Sequence, residues 1–338
     1  MASATLARTR SIVPGLAVAG AAAAASFALA TVVHGLSALL VAIVLGIAFR
    51  NLVRLPPSLE SALAPGLAVA AKRVLRIGVV LLGLQLVLGD ILRLGPGMIV
   101  VVIAIVGVGI LSTLFIGRLL GISPTQRLLI ACGFSICGAA AVAAVDGVIE
   151  TEDDEEVVVA VALVVLFGTL MIPLIPLAGS ALGLGELRTG LWAGGSIHEV
   201  AQVVAAGSAI GGAGLAAAIV VKLARVLMLA PVLATISLSR RRAMKTMDAS
   251  GKRPPLVPLF VVGFIAMVLL RSTGLIPAPV VAIAGGVQTA LLAAAMFALG
   301  AGVRISMFRK VGVKPFVLAA CSTAIVASVA LAGVAIAG

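Results

Sequence analysis

Three short stretches carry side chains that could do chemistry in an otherwise hydrocarbon sequence. GGSIHEVAQVVAAG, residues 194–207, places His198, Glu199 and Gln202 within five residues. A histidine beside a carboxylate suits proton transfer near neutral pH, and His198 and Gln202, four apart, share a helix face. AAIVVKLARVLMLAP, residues 217–231, holds Lys222 and Arg225 three apart, also on one face. Two cations deep in an apolar stretch call for a counter-charge, which an anionic ligand would supply. ACGFSICGAAAVAAV, residues 131–145, shares a Gly-x-Ser-Ile core with the first stretch and adds Gly133, Ser135, Cys137 and Gly138.

The glycines imply helices broken at mid-membrane, where freed backbone groups are tolerated only against protein or a water-filled cavity. Ser135 and Ser196 are expected to cap the half-helices that follow each break. SIHE then reads as a Ser-x-x-Glu capping box in which Glu199 silences its own helix terminus. SICG has no such acid, so its N–H groups are the ones left open to an anion. Plainer readings stand beside these. Glu199 is a cap acid, His198 and Gln202 are cross-helix hydrogen-bonding groups, and Lys222 or Arg225 is an ion-pair partner of Glu199. Cys132, Cys137 and Cys321 show neither a CxxC pair nor metal-ligand spacing, so no metal is expected.

The elements that hold these residues follow from composition. Of 338 residues 62% are hydrophobic and 11% charged, and the mean hydropathy is +1.30, which makes this an all-α polytopic membrane protein. The net charge of +12 sits in short loops rather than on a soluble face, which excludes a nucleic-acid partner. Apolar stretches fall at roughly 12–33, 36–49, 74–89, 97–117, 127–149, 156–177, 189–210, 213–238, 256–274, 278–302 and 313–336, about 11 transmembrane helices. Ser58 to Arg73 reads as an amphipathic segment in the interface. The basic loop 237–255 reads as a hinge or a topology-setting linker.

Alternating these spans from a cytoplasmic N-terminus puts twenty of the 24 Lys and Arg inside, Arg118, Arg127, Arg188 and Arg240 among them. The acidic run ETEDDEE, residues 150–156, and the C-terminus then fall outside. The first span is expected to be a retained helix, with a signal peptide cleaved at Ala28–Ala30 as the rival reading.

CGFSICGAAAVAAV, GGSIHEVAQV, KLARVLMLAPV and AMFALG together resemble the bacterial membrane family of sulfate exporters, grouped with the bile acid, arsenite and riboflavin transporters. The resemblance runs from about residue 36 to the C-terminus. It implies a ten-helix core of two inverted five-helix repeats, 36–180 and 181–338, with an additional N-terminal helix at 1–35. Substrate would bind where two broken helices cross. Under that pairing the stretch at 127–149 crosses the one at 278–302, where AIAGGVQTA could break at Gly285 and Gly286 and present Gln288.

The expected function is secondary active transport of a small anion of the sulfate, sulfite or sulfonate class across the inner membrane by alternating access. Gly133, Ser135, Cys137, Gly138, Lys222 and Arg225 would bind the anion. Ser196, His198, Glu199, Gln202 and Gln288 would line the site or couple it to a proton or sodium. The alternative is a cation/proton antiporter working through His198 and Glu199. No enzyme is expected, since no nucleophile with a positioned base and no nucleotide loop is present. No cofactor is expected, and a homodimer is admitted.

Overall fold

The computed structural model describes residues 2–32, 38–149, 151, 154–246, 259–302 and 312–338. The described residues are helical with no strand among them, and the chain is an all-α, multi-pass membrane protein. Among the described residues six helices are long and apolar enough to cross a membrane, and four more are apolar but shorter. Residues 247–255 of the basic loop lie outside the described residues.

Contacts divide the chain into two compact units, Met1–Gln85 with Leu275–Gly312, and Leu86–Gly274 with Val313–Gly338. The first holds α1 (Ala2–Val32), α2 (Ala38–Leu52), α3 (Pro57–Val69), α4 (Leu75–Leu82) and α15 (Ala278–Ala301). A π turn at Ala70–Val74 joins α3 to α4, so Ser58 to Arg73 belongs to one helical run rather than to a detached interfacial helix. Glycine lets backbones touch where α1 crosses α3: a methyl group on Gly15 would stand 2.7 Å from the Gly66 Cα. The expected break at Gly285 and Gly286 is absent, because α15 runs continuously through both.

The second unit is built around α6 (Gly95–Leu119) and α16 (Lys314–Ala337), which pack antiparallel. Gly97 lies against Ala337, Gly109 against Val326 and Gly117 against Leu318. Along α6 the small residues Gly109, Thr113 and Gly117 recur every fourth position and face inward, while Val100, Ile103, Leu111 and Phe115 are exposed. α9 (Asp154–Ala181), α12 (Gly212–Leu227), α13 (Leu229–Thr246), the short α5 (Leu88–Arg93) and α14 (Leu259–Ser272) belong to the same unit.

The stretches at 127–149 and 189–210, expected to cross the membrane, are instead re-entrant hairpins. α7 (Pro124–Ser135) enters and α8 (Ala139–Ile149) returns beside it, with Gly133 packed on Val142. The bases of both arms line one cavity, and Ser123 Oγ donates to Glu156 Oε1 at 2.5 Å. α10 (Glu186–Ser196) and α11 (Val200–Ile210) repeat the pattern, with Glu186 packed against Gly211 across the base. Arms of 12 and 11 residues are about 18 and 16 Å long, half of a hydrocarbon core of about 30 Å.

The hairpins enter from opposite faces. Arg127, near the base of the first, packs on Gly117, and its tip residue Ser135 reaches Gly109. Arg188, at the base of the second, donates to the Gly338 carbonyl at 3.4 Å, and its tip residue Gly195 lies against Ile105 and Ala330. The tips therefore meet about one turn apart along α6. This corrects the expected sidedness. Glu156 of the acidic run shares a face with Arg118, Arg127 and Arg240, whose guanidinium donates to Val148 O at 2.8 Å, while Arg188 lies on the opposite face.

In a cysteine-free background, Thr125→Cys and Thr151→Cys are expected to react with an impermeant maleimide from the same side of the membrane, and Arg188→Cys from the other. Labelling of positions 125 and 151 from opposite sides would restore the through-spanning helix.

Candidate functional site

The local sequence makes the first hairpin. Ser123 caps α7 by accepting from Gln126 N at 3.0 Å, with Pro124 at the first helical position. The helix stops at Ser135, and Gly138 turns the chain with φ +76°, in the left-handed region. A side chain at Gly138 would also strike Glu199, so this glycine is required twice over. Residues 129–139 and 189–198 are all buried.

Ser135 and Ser196 end their entering helices rather than opening the returning ones, which corrects the expected caps. Their hydroxyls are buried without a hydrogen-bond partner among the described residues, and Ser135 Oγ fills the notch left by Gly109. The capping box lies three residues later than the SIHE reading placed it. Glu199 is the N-cap of α11 and accepts from the Gln202 N–H, while Gln202 Oε1 accepts from the Glu199 N–H at 3.1 Å. SICG does not lack an acid after all, because Glu199 Oε1 also accepts from Ala139 N at 3.2 Å, at the start of α8. One half-buried carboxylate thus spans the positive ends of both returning helices.

Lys222 and Arg225 meet the opposite ends. Lys222 Nζ donates to Ile136 O and Ile197 O, each at 2.9 Å, and to His198 O. Arg225 donates through Nε to Ser135 O at 3.1 Å and through Nη2 to Phe134 O at 2.9 Å. Its Nη1 reaches Gly195 O at 2.7 Å, Ile197 O at 3.1 Å and Gly194 O at 3.2 Å. Both cations are fully buried, and all three ammonium hydrogens of Lys222 are engaged. Their counter-charge is the set of unpaired carbonyls that ends each entering helix; neither forms an ion pair with Glu199.

His198 is buried with both ring nitrogens engaged, Nδ1 with Phe134 O at 3.1 Å and Nε2 with Thr323 Oγ1 at 3.0 Å. A carbonyl only accepts, so the neutral ring carries its proton on Nδ1 and accepts the Thr323 hydroxyl at Nε2. The ring lies on Phe134, centroids 4.5 Å apart. Gln202 donates to Val165 O at 3.3 Å, and Gly168 clears the space for its amide.

The second unit therefore gathers Gly133, Ser135, Cys137, Gly138, Ser196, His198, Glu199, Gln202, Lys222 and Arg225 at the two tips. The break at 135–138 meets the break at 196–199. Gln288, buried on α15, belongs to the first unit. Thr323 escaped the sequence reading, although Ser322 and Thr323 in the last apolar stretch were a visible polar pair. Among the described residues no three His, Cys, Asp or Glu gather as a metal would require.

Replacing Lys222 with methionine strands the Ile136 and His198 carbonyls, one from each tip, and leaves Ile197 O to Arg225 alone. It is expected to destabilise the purified protein by about 3–5 kcal/mol with no anion present. A ligand-binding lysine with no part in holding the tips would leave the ligand-free melting temperature unchanged.

The family model described as Conserved hypothetical protein 698 matches residues 14–319. A UPF0324 membrane protein of Corynebacterium glutamicum is 60% identical over 299 residues, 88% of this chain and 85% of the relative. One from Pseudomonas aeruginosa is 38% identical over 328 residues, 93% and 91% of the two chains. UPF0324 membrane protein TauZ of Paracoccus pantotrophus is 38% identical over 303 residues, 89% and 88%. No solved structure matches. With tip-to-tip hairpins in a membrane-spanning chain and relatives similar along most of its length, this chain belongs to the Conserved hypothetical protein 698 family, that of the UPF0324 membrane proteins.

Proposed function

We propose that the protein is a secondary transporter of a small anion of the sulfate, sulfite or sulfonate class, with the meeting hairpin tips as its substrate site. The observation that carries this is a charge imbalance. Two fully buried cations, Lys222 and Arg225, face one half-buried carboxylate, Glu199. The cations are already bonded to helix carbonyls, so the anion does not need to touch them. It belongs at the N–H ends of α8 and α11, where Glu199 now acts as a tethered anion. Protonation of Glu199 frees those N–H groups and lets a diffusible anion take its place, which couples anion movement to a proton. His198, with both nitrogens committed, holds the second tip in register.

Supporting the reading are the motif resemblance to sulfate exporters and the two opposed hairpins, which give each membrane face its own short wall over the site. By the distribution of basic residues, the face with Arg118, Arg240 and Lys314 is read as cytoplasmic and the C-terminus as external, in the inner membrane. Glu199 also favours a second reading, a cation/proton antiporter in which that carboxylate is the ion carrier.

Proteoliposomes with an imposed proton gradient are expected to accumulate labelled sulfate or an organosulfonate saturably. Glu199→Gln should lose most of the gradient-driven uptake, roughly tenfold or more, yet keep anion counterflow. Sodium-driven proton release from the same vesicles, with no saturable anion uptake, would select the antiporter and end the anion reading.

A further inference from the structure

A cavity of 660 Å³ opens at the base of the first hairpin, remote from the tips and used by nothing described above. Its polar walls come from three parts of the second unit: Thr125 and Thr151 of the hairpin, Glu156 of α9, and Thr235, Ser239 and Arg240 of α13. Its depth is fixed by its walls. Glu156 lies at the start of the apolar span Glu155–Ala181, and Arg240 lies near the end of the span Gly212–Arg242. Both ends sit where hydrocarbon gives way to water.

Opposite charges line this cavity without forming an ion pair with each other. Glu156 is fixed by Ser123, which donates to Oε1 at 2.5 Å. Arg240 is fixed through Nη1, which donates to Val148 O at 2.8 Å. Among the described residues each is anchored by one atom, which leaves Oε2 of the carboxylate and Nε and Nη2 of the guanidinium to a ligand. Thr151 adds a buried hydroxyl oxygen with no partner among the described residues. A carboxylate, a guanidinium and several hydroxyls held apart around one space match a molecule that carries both charges.

We propose that this cavity binds a small zwitterion with an oxyanion at one end and a primary ammonium at the other. The oxyanion pairs with Arg240 and the hydroxyls, and the ammonium donates to Glu156. At the membrane–water boundary that chemistry has two sources, the phosphoethanolamine headgroup of a lipid or a soluble zwitterion. An occupant ties the hairpin base to α9 and α13, whichever ion crosses at the tips.

The test uses the full-length purified chain. In detergent, after delipidation, phosphoethanolamine is titrated while the melting temperature is followed, with inorganic phosphate and ethanolamine as single-charge controls. In parallel, the chain is placed in nanodiscs of phosphatidylethanolamine, phosphatidylcholine or phosphatidylglycerol. A saturable rise with soluble phosphoethanolamine assigns a free ligand. A rise confined to the phosphatidylethanolamine discs assigns the headgroup, since the choline ammonium has no N–H to donate and the glycerol headgroup has no cation. Glu156→Gln and Arg240→Gln should each weaken the apparent affinity about tenfold or more, with Arg240→Lys keeping part of it. The proposal fails if neither source shifts the wild-type transition, if phosphate alone matches the zwitterion, or if folded Glu156→Gln and Arg240→Gln proteins respond like wild type. The single-charge comparison on the wild-type chain decides even where a variant does not fold.

Discussion

Two side-chain cations on α12, bonded to the carbonyl ends of two helices that stop half-way through the membrane, hold the second unit together. A helix that ends in hydrocarbon leaves up to four carbonyls with no partner, each costing several kcal/mol in the absence of water. A lysine or an arginine at that depth has the matching problem, about 2.5–3.5 kcal/mol by insertion scales. Lys222 and Arg225 offset both penalties at once. Seven carbonyl oxygens from the two tips accept their hydrogens. Because Ile197 O takes hydrogens from both cations, and Phe134 O from both Arg225 and His198, the tips are locked to each other as well as to α12.

That arrangement sorts charge by helix polarity. Negative helix ends face Lys222 and Arg225, and positive helix ends face Glu199. The cations are sealed and carry the architecture. The carboxylate is the half-buried member, which is why the proposed function gives it the proton and the ligand. Under the proposed function, structural and exchangeable roles are divided among residues that a charge count alone would treat as one group.

Much of this was legible in the sequence, and the limits have physical causes. Hydropathy established an all-α membrane protein, and the two glycine-serine stretches located both interruptions. Hydropathy has no sense of direction, however, and residues 127–149 are as long as a true span, so a hairpin and a crossing helix read alike. The capping box misled because two overlapping patterns compete. Ser196-x-x-Glu199 fits the usual Ser/Thr-x-x-Glu/Gln template, whereas the box that forms, Glu199-x-x-Gln202, has a glutamate in the cap position and falls outside it. The partners of Lys222 and Arg225 were beyond reach because backbone carbonyls have no sequence signature, and those carbonyls lie as far as 91 residues away in the chain.

The half-membrane length of the hairpin arms bears on how this protein is made. An arm of 12 residues is too short to be accepted by the bilayer as a span, and the donors that satisfy its carbonyls arrive only with α12. Lys222 follows Ile136 by 86 residues, so the first hairpin leaves the ribosome well before its partners exist. Until then it must wait at the membrane surface or against the insertion machinery. Its burial is therefore a late, post-insertion step, completed when α12 brings both cations into the bilayer.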